Sequence, residues 1–522
     1  MTEPALEGAA SAPSRAAAGD DKLDRGLLMI ASVVVVGAIM SILDVTVVNV
    51  AINTLAQEFD TSLTTIQWVS TGYTLALATV IPITGWAADR FGTKRLYITS
   101  ISLFTLGSIL SGLAWSAGSL IAFRVLQGFG GGMLMPLGMT ILTQAAGPHR
   151  VGRVMAVIGV PMLLGPIFGP ILGGWLIDSF SWHWIFFINV PIGAVALLLS
   201  FRILPRDVPQ PGQRLDWLGL VLLSPSLALI IYGLAKSSEA GGFATAAVLV
   251  PAVAGALLLG VFVWHALRTT DALIDLRLFA NRVFTASSLT LILMIIAVFG
   301  GMLLVPLYLQ AVRGESALST GLLLAPQGFG AMIAMPIAGR LTDKTGTGRI
   351  VPVGLVLVGL SFLGLTQLSA DTSYWLLSGI LFIQGLGMGS AMMPTFSGAM
   401  QTLRRFQIAR ASTTLNINQQ VGASIGTAVM SVLLANALAD ELAPFGAGGG
   451  EGGGLGAAAA LPPDQRAQIA GPMAEAFGQT FWWALALVVV AFVVALALLP
   501  KEKPEPLEEE GEAPEAAVLM HA

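Results

Sequence analysis

Residues 85–95 read GWAADRFGTKR and residues 339–349 read GRLTDKTGTGR, one short pattern written twice at an offset of 254. Gly85 matches Gly339, Asp89 matches Asp343 and Gly92 matches Gly346. Each copy sits between two long apolar runs, the first after the second run of the chain and the other after the tenth. A separate pair of strings tells the same story: QGFGGG (127–132) aligns with QGLGMG (384–389) at an offset of 257, where Gly165 and Gly169 also meet Gly422 and Gly426. Agreement at distinct places marks a duplicated unit. Spans 1–6 correspond to spans 9–14, and spans 7 and 8, about 215–267, are an insertion between the halves. Parallel repeats with a midplane site between them are a transporter architecture.

Composition fixes the solvent. Of 522 residues 55% are hydrophobic and 11% charged, with a mean hydropathy of +0.80, against roughly 25% charged in soluble domains. The chain is therefore read as an all-α integral membrane protein. Apolar runs long enough to span a bilayer begin near 27, 65, 95, 119, 153, 184, 215, 245, 282, 318, 349, 373, 411 and 479, which makes fourteen. With the N terminus placed in the cytoplasm, 22 of the 26 Lys and Arg fall in cytoplasmic segments. One miscounted span would invert every later loop, so the positive-inside rule supports both the count and two cytoplasmic termini. The first run is too long for the core of a cleaved signal peptide and reads as a retained span. The expected divisions are a tail (1–26), a six-helix bundle (27–204), two inserted helices (205–270), a second six-helix bundle (271–500) with a long outer loop (437–478), and a charged tail (501–522).

No cysteine is present, so disulfides and thiol chemistry are excluded, and the net charge of -4 argues against a nucleic-acid partner. No G-x-x-x-x-G-K-[ST] string supplies ATP-driven transport. The four His, at 149, 183, 265 and 522, form no catalytic or metal cluster in sequence. A channel filter or charged ring is also missing.

Several motifs resemble the major facilitator superfamily. GWAADRFGTKR is similar to its cytoplasmic-loop signature, RVLQGFGGG (124–132) to its fourth-span motif, and GVPMLLGPIFGPILGG (159–174) to the fifth-span motif of proton-coupled antiporters. LDVTVVNVAIN (43–53) and WHWIFFINVPIG (182–193) narrow the resemblance to the fourteen-span drug:proton antiporters of EmrB/QacA type. His183 stands where that family commonly has Arg, and Asn53 where it has Pro. The resemblance implies the major facilitator fold, two six-helix pseudo-repeats plus two inserted helices.

Ionisable residues inside a membrane span are functional by default. Asp44 and Arg124 alone lie well inside the expected spans, at similar depth below the outer end. Both are assigned to proton coupling: a nearby guanidinium favours the carboxylate and burial favours the acid, so the balance responds to substrate arrival or to closure. The second repeat has Val298 and Leu381 at these positions, which confines coupling to the first half. A static structural pair is the plain alternative.

Gly85, Asp89, Arg90, Gly92, Arg95 and Asp343 form the expected cytoplasmic gate. Gly85 admits a close helix, and Asp89 accepts from a helix N-terminus or a cation in one state only. In the fifth span Gly159, Pro161, Gly165, Pro166, Gly169, Pro170 and Gly173 are packing residues. Glycines four apart leave a stripe without side chains, and prolines survive in lipid where neighbours satisfy the freed carbonyls. By family analogy this stripe slides against span 10, which carries Gly321, Gly328 and Gly330. Static tight packing is the alternative.

Candidates for a substrate cavity are Asn49, Trp68, Gln127, Gln310, Gln327, Gln384, Asn416 and Gln420. The resulting expectation is a proton-coupled exporter of lipophilic drugs or toxic compounds, working by alternating access in the cytoplasmic membrane of a bacterium. Its partners are the bilayer, a lipophilic small molecule and the proton. It needs no cofactor beyond the proton gradient, binds no metal, and functions as a monomer. A dedicated exporter of one self-made metabolite or lipid, or a proton-symport uptake transporter, are the alternatives.

Overall fold

The computed structural model describes residues 24–501 apart from 62, 147–149, 152, 153, 155–164, 166, 167, 170, 171, 178, 207–213, 240–242, 270, 271, 405, 406 and 446–462. Gly159, Pro161, Pro166 and Pro170 of the fifth-span motif lie outside the described residues, as does the side chain of Asn49.

The first half contains α1 (Arg25–Glu58), α2 (Trp68–Phe91), α3 (Thr93–Gly112), α4 (Ala117–Ala146) and α5 (Asn189–Ile203), with residues 172–177 of the fifth expected span also helical. An inserted pair follows, α6 (Trp217–Glu239) and α7 (Ala246–Arg268). The second half contains α8 (Arg282–Ala311), α9 (Ala317–Thr345), α10 (Thr347–Leu365), α11 (Tyr374–Gln401), α12 (Ile408–Leu442) and α13 (Pro463–Leu498). Among the described residues eleven helical segments are long and apolar enough to cross a membrane.

The repeated strings have repeated physical causes. Gly92 and Gly346 join α2 to α3 and α9 to α10 with φ of 93° and 86° and ψ of 144° and 163°, an extended positive-φ region that costs a residue with a Cβ about 1–3 kcal/mol. The glycines after Gln127 and Gln384 let the central helix of each half touch its two neighbours. A Cβ on Gly128 would stand 2.6 Å from the Tyr73 carbonyl oxygen of α2, and one on Gly130 2.5 Å from the Phe104 nitrogen of α3. In the second half Gly385 lies against Gln327 of α9, and Gly387 against Gly354 and Val358 of α10.

Where the two halves meet, α12 runs beside α2 and α4. The Ser412 hydroxyl donates to the Pro136 carbonyl at 2.9 Å, and a Cβ on Gly85 would lie 3.1 Å from Thr413 Oγ1. The inserted pair is a wedge on this seam: α6 touches both α2 and α12. The Ser224 hydroxyl of α6 donates to the Thr79 carbonyl at 2.7 Å, and Leu223 and Leu227 share an apolar cluster with Ile81 and Ile417.

Three expectations need correction. The span 437–478 is not one long loop, because α12 continues to Leu442 and α13 begins at Pro463. Met473, Ala474, Ala476 and Phe477 are buried there, so an amphipathic pattern beside the Gly-rich tract extends the helix. The first apolar run, read from the sequence as Leu27 to about Ile52, belongs to a longer helix, because α1 runs to Glu58. Finally, Gly165, Gly169 and Gly173 of the fifth span face α1: a Cβ on Gly165 would run into Ile42, one on Gly169 into Thr46, and one on Gly173 into Val47. Gly330 of α9 is already occupied by the Phe382 carbonyl of α11. Spacing creates a bare stripe but does not name the helix that fills it.

Candidate functional site

Five helices of the first half converge on one carboxylate. Asp44 of α1 is 1% exposed, and Arg124 of α4 donates through Nη1 to its Oδ2 at 2.5 Å. Gln127, one turn further along α4, donates through Nε2 to Asp44 Oδ1 at 2.8 Å and accepts from Arg124 at 2.8 Å. Asn189, the first residue of α5, donates through Nδ2 to the same Oδ1 at 3.0 Å and to Ser108 Oγ of α3 at 3.0 Å. From α2 come the Val69 carbonyl, which accepts from Arg124 Nε at 3.3 Å, and the Tyr73 ring, whose centroid is 4.2 Å from the guanidinium carbon.

The pair is thus paired, hydrogen-bonded and dry, the condition under which buried charge is tolerated. An apolar cluster containing Val47, Val48, Val69, Ile185 and Phe186 packs around it, and Phe186 also faces Arg124 at 5.9 Å.

At the other end of α2 lies the loop of the opening repeat. Asp89 pairs across the seam with Arg410 Nε of α12 at 3.7 Å, and Gly85 permits the approach. Both expected gate elements therefore touch the opposite half. Lys94 plays a different part, donating to the Phe201 and Leu204 carbonyls at 3.0 and 2.7 Å and so closing the last turn of α5. Arg90 is half-buried and Arg95 exposed. The second-repeat Asp343 is buried and accepts from Gln401 of its own half at 3.5 Å. A cavity of about 730 Å³ opens on this face between Asp24, Asp89, Lys94, Gln144 and Arg206.

The expected cavity residues separate into different environments. Gln127 belongs to the carboxylate network. Gln327 donates to Gln384 at 3.1 Å and to Met388 Sδ at 3.4 Å, a buried neutral pair between α9 and α11. Asn416 is folded back onto the Ser412 carbonyl at 2.8 Å, and Gln420 is half-buried. Trp68 stacks on Tyr232 of the inserted α6 with centroids 6.0 Å apart, and Gln310 is exposed at the end of α8.

The sequence model of the Major Facilitator Superfamily matches residues 34–427, which contain both copies of the gate-loop string and the Asp44 site. The chain belongs to the Major Facilitator Superfamily. It is an integral membrane transporter of that superfamily. Over 409 residues it is 49% identical to the Multidrug resistance protein B homolog of Mycobacterium tuberculosis strain H37Rv, covering 77% of this chain and 75% of that one. It is 32% identical over 391 residues to the Multidrug export protein EmrB of Escherichia coli K12, covering 74% and 76%. The fold matches the proton:xylose symporter XylE with a TM-score of 0.59 at 14% identity over 92% of this chain and 98% of that one. It also matches the human organic anion transporter MFSD10 with a TM-score of 0.59 at 15% identity, over 88% and 99%.

The sequence pointed to the charges of this superfamily member's site and to Gln127, which it assigned to a substrate cavity, but not to the other neutral members. Asn189 lay inside the quoted WHWIFFINVPIG string, Tyr73 in the second span and Ser108 in the third. Among them only Asn189 carried a usable signal, a buried-type amide at the start of an otherwise apolar span.

Proposed function

We propose that this protein is a proton-coupled exporter of lipophilic drugs or toxic compounds, working by alternating access. The observation that carries the reading is the Asp44–Arg124 pair, an ion pair sealed inside one half and absent from the other. Burying charge costs stability, and a residue that must gain and lose a proton justifies that cost. The names of the M. tuberculosis and E. coli relatives favour export of multiple drugs over uptake.

Fourteen spans fit this reading. The eleven apolar segments are joined by α2 and α3, whose Ser, Thr, Gly and charged ends lower their hydropathy, and by the fifth span. Both termini and the Gly92 and Gly346 loops then lie in the cytoplasm of a bacterial cell. The contacts of Gly85, Asp89, Arg410 and Ser412 hold the halves together toward that side, the arrangement of a transporter closed to the cytoplasm. Its energy comes from the proton gradient without a cofactor, and a monomer contains the whole machinery.

Asp44→Asn keeps the shape of the carboxylate and removes its proton. Reconstituted in liposomes with an imposed proton gradient, the variant is expected to lose accumulation against a gradient while membrane abundance stays near parental. Parental pumping by Asp44→Asn refutes the coupling assignment. A susceptibility panel on cells with and without the protein supplies the substrate: broad resistance supports multidrug export, protection from one compound a dedicated exporter, and greater accumulation an uptake transporter.

A further inference from the structure

We infer that Asn189 is the positioning residue that reads the protonation state of Asp44, its amide donating to the carboxylate and turning over to accept from the acid. The inference rests on Asp44 being the residue that gains and loses the proton.

The carboxylate has three donors. Two of them are locked. Arg124 keeps its charge in either state, and the Gln127 amide is committed at both ends, its Nε2 to Asp44 and its Oε1 to Arg124. Asn189 differs. Its Nδ2 donates to Asp44 Oδ1 and Ser108 Oγ, while its Oδ1 is buried and has no hydrogen-bond partner among the described residues. The residue is 1% exposed. A buried amide oxygen left without a donor is an unfavourable arrangement, and here it marks a second orientation waiting for its partner.

That partner forms when a proton binds to Asp44 Oδ1. One O–H bond is made and nothing else in the network breaks covalently, but the oxygen changes from acceptor to donor. The existing Asn189 N–H then faces an O–H. Rotation of the terminal amide by about 180°, a soft two-fold torsion, brings Oδ1 to Asp44 and resolves the clash. Ser108 can follow, because its hydroxyl, which donates to the Phe186 carbonyl at 2.8 Å, can turn to donate to the same amide oxygen. The two orientations therefore give Asp44 a donor when it is a carboxylate and an acceptor when it is an acid, the amide nitrogen in the second case taking the buried place that its oxygen holds in the first. The residue so turned begins α5, and Lys94 of the gate loop holds the other end of that helix.

Asparagine-selective 15N labelling of the full chain in lipid gives a substrate-free test. The Asn189 side-chain signal is identified by its loss in Asn189→Val. If that variant does not fold, it is identified by its displacement in Ser108→Ala. The expected result is a signal that changes with pH along a single titration, and that becomes pH-independent in Asp44→Asn while surviving Asp89→Asn. A signal that stays constant while Asp44-dependent proton uptake occurs overturns the inference, as does a titration that persists in Asp44→Asn. Its failure is separable from failure of the coupling reading. Proton-driven accumulation that persists in Asp44→Asn defeats coupling even when the amide follows Asp44, whereas loss of accumulation with a silent amide defeats the inference alone.

Discussion

The two halves of this protein use one scaffold for opposite interiors. In α4, Arg124 and Gln127 face Asp44; at the matching offsets α11 carries Leu381 and Gln384, and α8 carries Val298. Leu381 and Val298 are as buried as the charged pair, and the surviving Gln384 pairs with neutral Gln327. The glycines that bring each central helix against its neighbours are retained in both halves, so packing does not require the charges. Charge at this position is an addition to the fold, made once.

The largest expected effect comes from breaking that addition on one side. Arg124→Leu copies the second half but strands Asp44 in a dry site, and breaking a buried pair in this way costs about 3–5 kcal/mol. Reduced abundance and an early thermal unfolding transition are expected, with transport lost. Asp44→Val combined with Arg124→Leu copies the second half at both charged positions and should recover most of the stability, but none of the proton-driven transport. Thermal unfolding of the purified variants measures both. A double variant no more stable than Arg124→Leu would mean that the first half, unlike the second, needs its charges to pack.

How much of this was legible beforehand depended on contrast. Asp44 and Arg124 stood out because charge is rare within an apolar run, and the repeat stood out because Gly92 and Gly346 answer the same backbone demand. Asn189, Tyr73 and Ser108 were not legible as a site, since neutral polar residues near span ends carry no such contrast. The facing helix of the Gly165–Gly173 stripe was not legible either. A bare surface accepts any helix of suitable shape, and three-dimensional packing chose α1.

The gate loop of the first half gives a second way to test the seam. Asp89 reaches across it to Arg410. Asp89→Ala and Arg410→Ala are therefore each expected to lower turnover several-fold with little change in substrate binding, and the double variant to do no worse than either alone. Initial rates and binding curves with a substrate from the susceptibility panel, in proteoliposomes, separate the two quantities. Weakened binding at unchanged turnover would place a substrate contact at the loop instead of a latch.

The smallest effect sharpens the comparison most, because here the two halves are alike in structure. Gly92→Ala and Gly346→Ala each place a Cβ at a positive φ with extended ψ, and each should cost about 1–3 kcal/mol, read as similar downward shifts of the unfolding temperature. Since the backbone strain is the same, any difference in transport between them is not a stability effect. Gly92 follows Asp89 by three residues and precedes Lys94, which closes the last turn of α5, so distortion there bears on both the latch and the helix that begins at Asn189. Gly92→Ala is accordingly expected to slow transport more than Gly346→Ala at equal abundance. Equal slowing by both would show that the loops act as a symmetric pair of hinges, and that the asymmetry of the molecule is confined to the Asp44 site.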